Sequence, residues 1–117
     1  PFSPVNTIDK KFYKKLGKSF STNKILTVSS KSIDEVLNLS GIKKCIDFIN
    51  IDVEGSDYKI LTDIKINKLN PKLISIETHN TDGSESTNFR NITDYLSKNN
   101  FCIFKRIGPT TLYKQEN

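Results

Sequence analysis

The sequence predicts an α/β fold with a mostly parallel sheet and a closing antiparallel β-hairpin. Three observations lead there. From Lys24 onward, short β-branched runs alternate with segments of helical periodicity. Two of the apolar runs, "CIDFINIDV" and "KLISIETH", do not alternate cleanly with polar residues, the pattern of strands covered on both faces. The last two runs, "FCIFKRI" and "TLYK", are joined across Gly108-Pro109, which reads as a hairpin and so requires an antiparallel strand.

Residues 1–23 stand apart. They hold two prolines and many lysines, and only Ile8, Phe12 and Leu16 share a short helical face. This stretch is expected to be an irregular, lysine-rich lead-in, with the folded domain over 24–117. "KILTV" (24–28) is the first expected strand. "SIDEVLNLSG" (32–41) is a helix with both ends marked: Ser32 and Glu35 have capping-box spacing, and Gly41 suits the stop. "CIDFINIDV" (45–53) is the next strand. "SDYKILTDI" (56–64) is a helix with Asp57 at its positive end and Tyr58, Leu61 and Ile64 on one side. "KLISIETH" (72–79) is a buried strand, and "STNFRNITDYLSKNN" (86–100) a helix carrying Phe89, Ile92 and Leu96. The order is β-α-β-α-β-α-β-β, which implies right-handed crossovers.

Composition narrows the functional classes. No apolar run approaches the roughly 20 residues that span a bilayer. The opening "PFSPVNTIDKK" lacks the order of a signal peptide, so a cytoplasmic location without membrane contact is expected. Cys45 and Cys102 are far apart in apolar stretches, which suits buried free thiols in a reducing compartment. The net charge of +5 draws on Lys10, Lys11, Lys14, Lys15, Lys18 and Lys24. Lysine is abundant along the whole chain, so a solvated surface is expected rather than a nucleic-acid stripe.

In an open parallel sheet, ligands bind beyond the carboxyl ends of the strands. One strand here ends at Asp52-Val53-Glu54-Gly55 and another at Glu77-Thr78-His79-Asn80. If the two strands are neighbours, their ends lie about 5 Å apart, and Asp52, Glu54, Glu77 and His79 crowd one rim. His79 is the sole histidine. The plainer reading gives Gly55 a turn, Glu54 a helix dipole and His79 an ordinary loop position. The glycines Gly17, Gly41, Gly55, Gly83 and Gly108 are isolated, so there is neither a GxGxxG loop nor a P-loop.

"IDFINIDVEGSDYKIL" closely resembles the signature of the FkbM-type methyltransferase family, in which a strand ends in a D-V-E-G step followed by an acidic residue and an aliphatic helix. "TVSSKSIDEVL" is similar to that family's preceding strand and "threonine-leucine-aspartate" helix start, here Ser32-Ile33-Asp34. "KLISIETH" is similar to its next strand, and "NITDYLSKNNF" and the closing hairpin also fit. The resemblance runs from about Lys24 to Lys114. It implies a Rossmann-like methyltransferase sheet, S-adenosyl-L-methionine as cofactor, and O-methylation of a hydroxyl on a sugar or polyketide-like metabolite. The chain looks like the C-terminal half of such a domain, so 24–117 is expected to be a partial methyltransferase domain without independent activity.

On that reading Asp52 is the first choice of base for the acceptor hydroxyl, with Glu54 and His79 beside it as catalytic candidates. Glu77, Asn80 and Asp82 are expected to bind the small-molecule acceptor, no resident metal is expected, and Gly55 is the structural turn. The loop 80–88 is expected to be polar and mobile. Two other readings stand next to this one. Asp52, Glu54, Glu77 and His79 are also ligand types for a metal-dependent hydrolase or glycosyl-transfer enzyme. Alternatively, the chain is a degenerate packing domain that self-associates through an exposed sheet edge.

Overall fold

A computed structural model describes residues 27, 29–42, 46–53, 55–80 and 82–116. The chain divides into two units, Pro1–Ser30 and Lys31–Asn117, and the fold below is that of the second. The lead-in, Cys45 and Glu54 lie outside the described residues, as does the strand expected over 24–28 apart from Thr27, which is in neither helix nor strand.

The elements are α1 (Ile33–Ser40), β1 (Phe48–Ile51), α2 (Asp57–Asp63), α3 (Ile66–Leu69), β2 (Leu73–Glu77), α4 (Phe89–Lys98), β3 (Phe101–Ile107) and β4 (Thr110–Gln115). α1 starts and stops where its sequence says. Ser32 Oγ accepts the Glu35 amide at 3.2 Å, and Glu35 Oε2 accepts the Ser32 amide at 2.7 Å. Gly41 closes the helix at φ 69°, a left-handed angle that a side chain disfavours. Lys65 pairs with Asp34 and so links α1 to the segment before α3.

The sheet order is β1-β2-β4-β3. β1 and β2 are parallel, whereas β4 runs antiparallel to both β2 and β3. The expectation of a mostly parallel sheet is therefore corrected: one ladder is parallel and two are antiparallel. The cause is the insertion of β4. The hairpin does not extend the sheet outward in chain order; its second strand wedges between β2 and β3. The hairpin itself is as expected, turning at Gly108 and Pro109.

The core gathers Leu61 from α2, Ile92 and Leu96 from α4, Ile74 and Ile76 from β2, and Tyr113 from β4, all fully buried. Each aliphatic side chain so buried stabilises the fold by roughly 1.5–3 kcal/mol. Tyr113 keeps its hydroxyl satisfied through Thr93 Oγ1 at 2.8 Å. β2 is covered on both faces, as read from its sequence. β1 is not: only Ile51 is buried on it, and Phe48 is 51% exposed because nothing described covers that part of the strand. Cys102, expected to be buried, is a half-buried free thiol on β3, a strand that is exposed from Ile103 to Ile107. No described helix is long and apolar enough to cross a membrane.

Candidate active site

The register Ile51↔Ile76 brings the ends of β1 and β2 side by side. Asp52 and Glu77 are the positions that follow in that register, so the two acidic strand ends share one rim. Asp52 is solvent-exposed and Glu77 half-buried. The chain then turns into α2 through Gly55 at φ 90°. An ideal Cβ there would touch nothing within 4 Å, so the glycine answers to backbone angle and not to crowding.

Asp57 closes this turn. Its Oδ1 accepts the Val53 amide at 3.2 Å and its Oδ2 the Gly55 amide at 3.1 Å. The side chain is buried, and each of its oxygens ties down one end of the segment that leaves β1. Ser56, the residue before α2, makes no side-chain cap. Asp57 had a sequence signal, an acid two residues past a glycine, but the helix dipole accounts for an acid there equally well.

Beyond β2, the amides of Thr78 and His79 both donate to the Pro109 carbonyl at 3.0 Å. His79 is buried, with its ring tilted against Phe89 at a centroid distance of 5.1 Å. It is thus a packed residue and not an ordinary loop position. Its Nδ1 lies 2.8 Å from Thr78 Oγ1, which in turn lies 2.6 Å from Thr111 Oγ1 on β4. Nothing in the sequence marks Thr78 or Thr111, because their meeting depends on the β2–β4 pairing.

The loop after His79 is folded back on itself. His79 and Glu85 form an antiparallel bridge, and the Asn80 amide donates to the Ser84 carbonyl at 2.8 Å. Asp82 Oδ1 accepts both the Ser84 hydroxyl at 2.6 Å and the Ser84 amide at 2.9 Å. These bonds, the hydroxyl foremost, hold the Asp82 carboxyl below its ordinary range. Arg106 reaches across from β3 to donate to the Gly83 carbonyl at 3.0 Å. The stretch expected to be mobile is therefore hydrogen-bonded at both flanks, with Asn80 and Asp82 exposed on it.

Of the residues singled out in the sequence, Glu77 is the last of β2, Asp52, Gly55, His79, Asn80 and Asp82 follow the ends of the two adjacent parallel strands, and Glu54 lies outside the described residues. Among the described residues, no group of three His, Cys, Asp or Glu side chains is placed to hold a metal ion. An apolar groove lined by Ile33, Leu37, Phe48 and Ile49 lies by the start of β1, whereas the acids follow its end.

The chain matches the family described as Methyltransferase FkbM domain over residues 6–103. It belongs to the FkbM methyltransferase family. No curated protein and no solved structure matches it. The FkbM match takes in both acidic strand ends and the 80–88 loop, and it ends within β3. A mixed α/β sheet of four strands is compatible with a methyltransferase fold. Membership of the FkbM family favours methyl transfer over the hydrolase, glycosyl-transfer and packing-domain readings.

Proposed function

We propose that the protein serves S-adenosyl-L-methionine-dependent O-methylation of a hydroxyl on a small sugar or polyketide-like metabolite. The observation that supports this most is the FkbM match over residues 6–103. In such a reaction the cofactor supplies an electrophilic methyl group. The described residues offer no glycine-rich loop for the adenosyl part: Gly41, Gly55, Gly83 and Gly108 lie in separate turns. No described residue is therefore assigned to holding the cofactor.

The described residues suit the acceptor side. Asp52 is an exposed carboxylate at the end of a strand, where an incoming hydroxyl can reach it and give up its proton. Glu77, at the neighbouring strand end, and Asn80 and Asp82, on the folded-back loop, are placed to orient further hydroxyls of a polar acceptor. A turn braced by Arg106 and by its own hydrogen bonds presents such groups with little loss of entropy on binding. Calorimetry of the intact protein with S-adenosyl-L-methionine tests the reading. Binding followed by turnover of a hydroxylated acceptor supports it, and no heat at millimolar cofactor sinks it.

A further inference from the structure

We propose that Thr78, with Thr111 donating to it, is a positioning residue that fixes neutral His79 as its Nε2–H tautomer, so that the imidazole meets a ligand as a hydrogen-bond donor to an oxygen atom and not as a proton acceptor. The inference rests on a count of protons. Thr78 Oγ1 lies between His79 Nδ1 at 2.8 Å and Thr111 Oγ1 at 2.6 Å. Thr78 is fully buried and Thr111 is 1% exposed. Among the described residues Thr111 Oγ1 has no partner besides Thr78. Each hydroxyl carries one proton, and each buried proton needs an acceptor.

Three arrangements of the protons are possible. If His79 Nδ1–H donates to Thr78 and Thr78 donates to Thr111, the Thr111 proton is buried without an acceptor. If Thr78 accepts from both neighbours, its own proton is the orphan. If Thr111 donates to Thr78 and Thr78 donates to Nδ1, both hydroxyl protons are used. Only the last leaves nothing unsatisfied. It makes Nδ1 the acceptor, which places the proton of the neutral ring on Nε2.

The other ring nitrogen is where a ligand can find it. His79 is only 7% exposed, yet among the described residues no buried side-chain nitrogen or oxygen lacks a partner. Among the described residues Nε2 has no partner, so the small exposed part of the ring includes it. Phe89 packs against the ring, and the Pro109 carbonyl and the antiparallel bridge to Glu85 hold the backbone. The donor is thus fixed in direction. On the proposed function its target is a lone pair of the acceptor's oxygen, which the N–H orients while a carboxylate takes the proton.

His79 is the only histidine in the chain, so its ring nitrogens can be read without assignment. Long-range proton–nitrogen correlation spectra of the nitrogen-15-labelled protein, recorded on the neutral imidazole, should show a single tautomer with Nδ1 unprotonated and Nε2 protonated. Thr78→Val removes the donor to Nδ1 and should pull both nitrogens toward averaged positions; Thr78→Ser should restore the single tautomer, and Thr111→Val, which leaves the Thr78 proton no acceptor but Nδ1, should keep it. Protonated Nδ1 in the wild type, or an averaged wild-type pair, overturns the inference outright. So does a folded Thr78→Val protein with an unchanged spectrum, or a folded Thr111→Val protein in which Nδ1 is protonated. Should Thr78→Val not fold, Thr78→Ala takes its place, and the wild-type spectrum decides by itself. The measurement involves no turnover, so failure of the methyl-transfer reading would leave its outcome intact.

Discussion

The Asp57 carboxylate and the Gly55 amide meet at 3.1 Å, across a turn that Asp57 also holds at its other end through Val53. This makes the D-V-E-G step a clamped loop rather than a strand that merely runs out. Asp57→Asn replaces one acceptor oxygen with an amide that faces a backbone N–H. The turn then loses a buried charge-assisted bond, and the expected destabilisation is roughly 1–3 kcal/mol. Chemical denaturation of the variant beside wild type measures it. An unchanged midpoint would show that the turn holds without the clamp.

Gly55→Ala isolates the backbone term at the same turn. The residue sits at φ 90° with no atom within 4 Å of an added Cβ, so any loss comes from the dihedral alone. About 1–3 kcal/mol is expected, and trimming neighbouring side chains should recover none of it. A crystal structure of the variant with φ still near its present value would confirm that the cost is strain.

Asp52→Asn separates catalysis from stability. The side chain is exposed, so the melt should stay within about 0.5 kcal/mol of wild type. In the intact enzyme kcat should fall about 100-fold or more, as expected when a general base is removed. Substitutions at Asp82 or Ser84 should act mainly on the KM of the acceptor. Steady-state kinetics beside thermal melts distinguishes these outcomes. If Asp52→Asn unfolds the protein, or leaves kcat within about threefold of wild type, the carboxylate is structural.

Stability should depend on pH at both extremes, with opposite signs. Burial pushes the Tyr113 phenol above its usual value of 10.0, and the Thr93 hydrogen bond offsets part of that rise. The folded state therefore keeps a proton that the unfolded state gives up. This contribution is complete below the unfolded value and is lost as pH rises through the folded one. Tyr113→Phe should remove that alkaline loss while forfeiting the Thr93 bond, worth about 0.5–1.5 kcal/mol. On the acid side, hydrogen bonds from Lys65, Ser32 and Lys72 hold Asp34, Glu35 and Asp47 below their ordinary values. Their contribution is present above the unfolded carboxylate range and fades as pH falls through the lowered values. Glu35 and Asp47 are exposed and Asp34 partly so, and added salt should therefore shrink the two lysine-paired parts of this acid limb. Melts across pH at low and high salt check both limbs.

What could be read from the sequence was whatever is decided locally. The capping box of Ser32 and Glu35 needs only its own residues, and it forms as expected. The periodicity of Ile92 and Leu96 placed α4, and the run "LISIE" marked β2 as covered on both faces. The single turn α3 (Ile66–Leu69) was too short to leave a period. The place of β4 between β2 and β3 could not be seen, because a hairpin looks the same whether it lies at an edge or is inserted. That insertion determines the rest: it brings Thr111 to Thr78 and Pro109 to His79. At the candidate site, the shared rim of Asp52 and Glu77 followed from two strand ends rich in acid. The burial of His79 did not, since a polar residue just past a strand gives no sign of what packs on it.

The strand order also limits how the molecule can be made. β1, β2 and β3 all leave the ribosome before β4, yet among the described strands β3 has no ladder to join until β4 exists. Synthesis from Glu77 to Gln115 lasts a few seconds at roughly 5–20 residues per second. Through that interval β2 carries an unpaired edge beside Ile74 and Ile76, in a nascent chain that cannot yet close its sheet. This is the stage at which holdase chaperones have a substrate. Ribosome-stalled chains ending between β3 and β4 should be cleaved readily by protease, and chains extended until β4 clears the exit tunnel should become resistant in a single step.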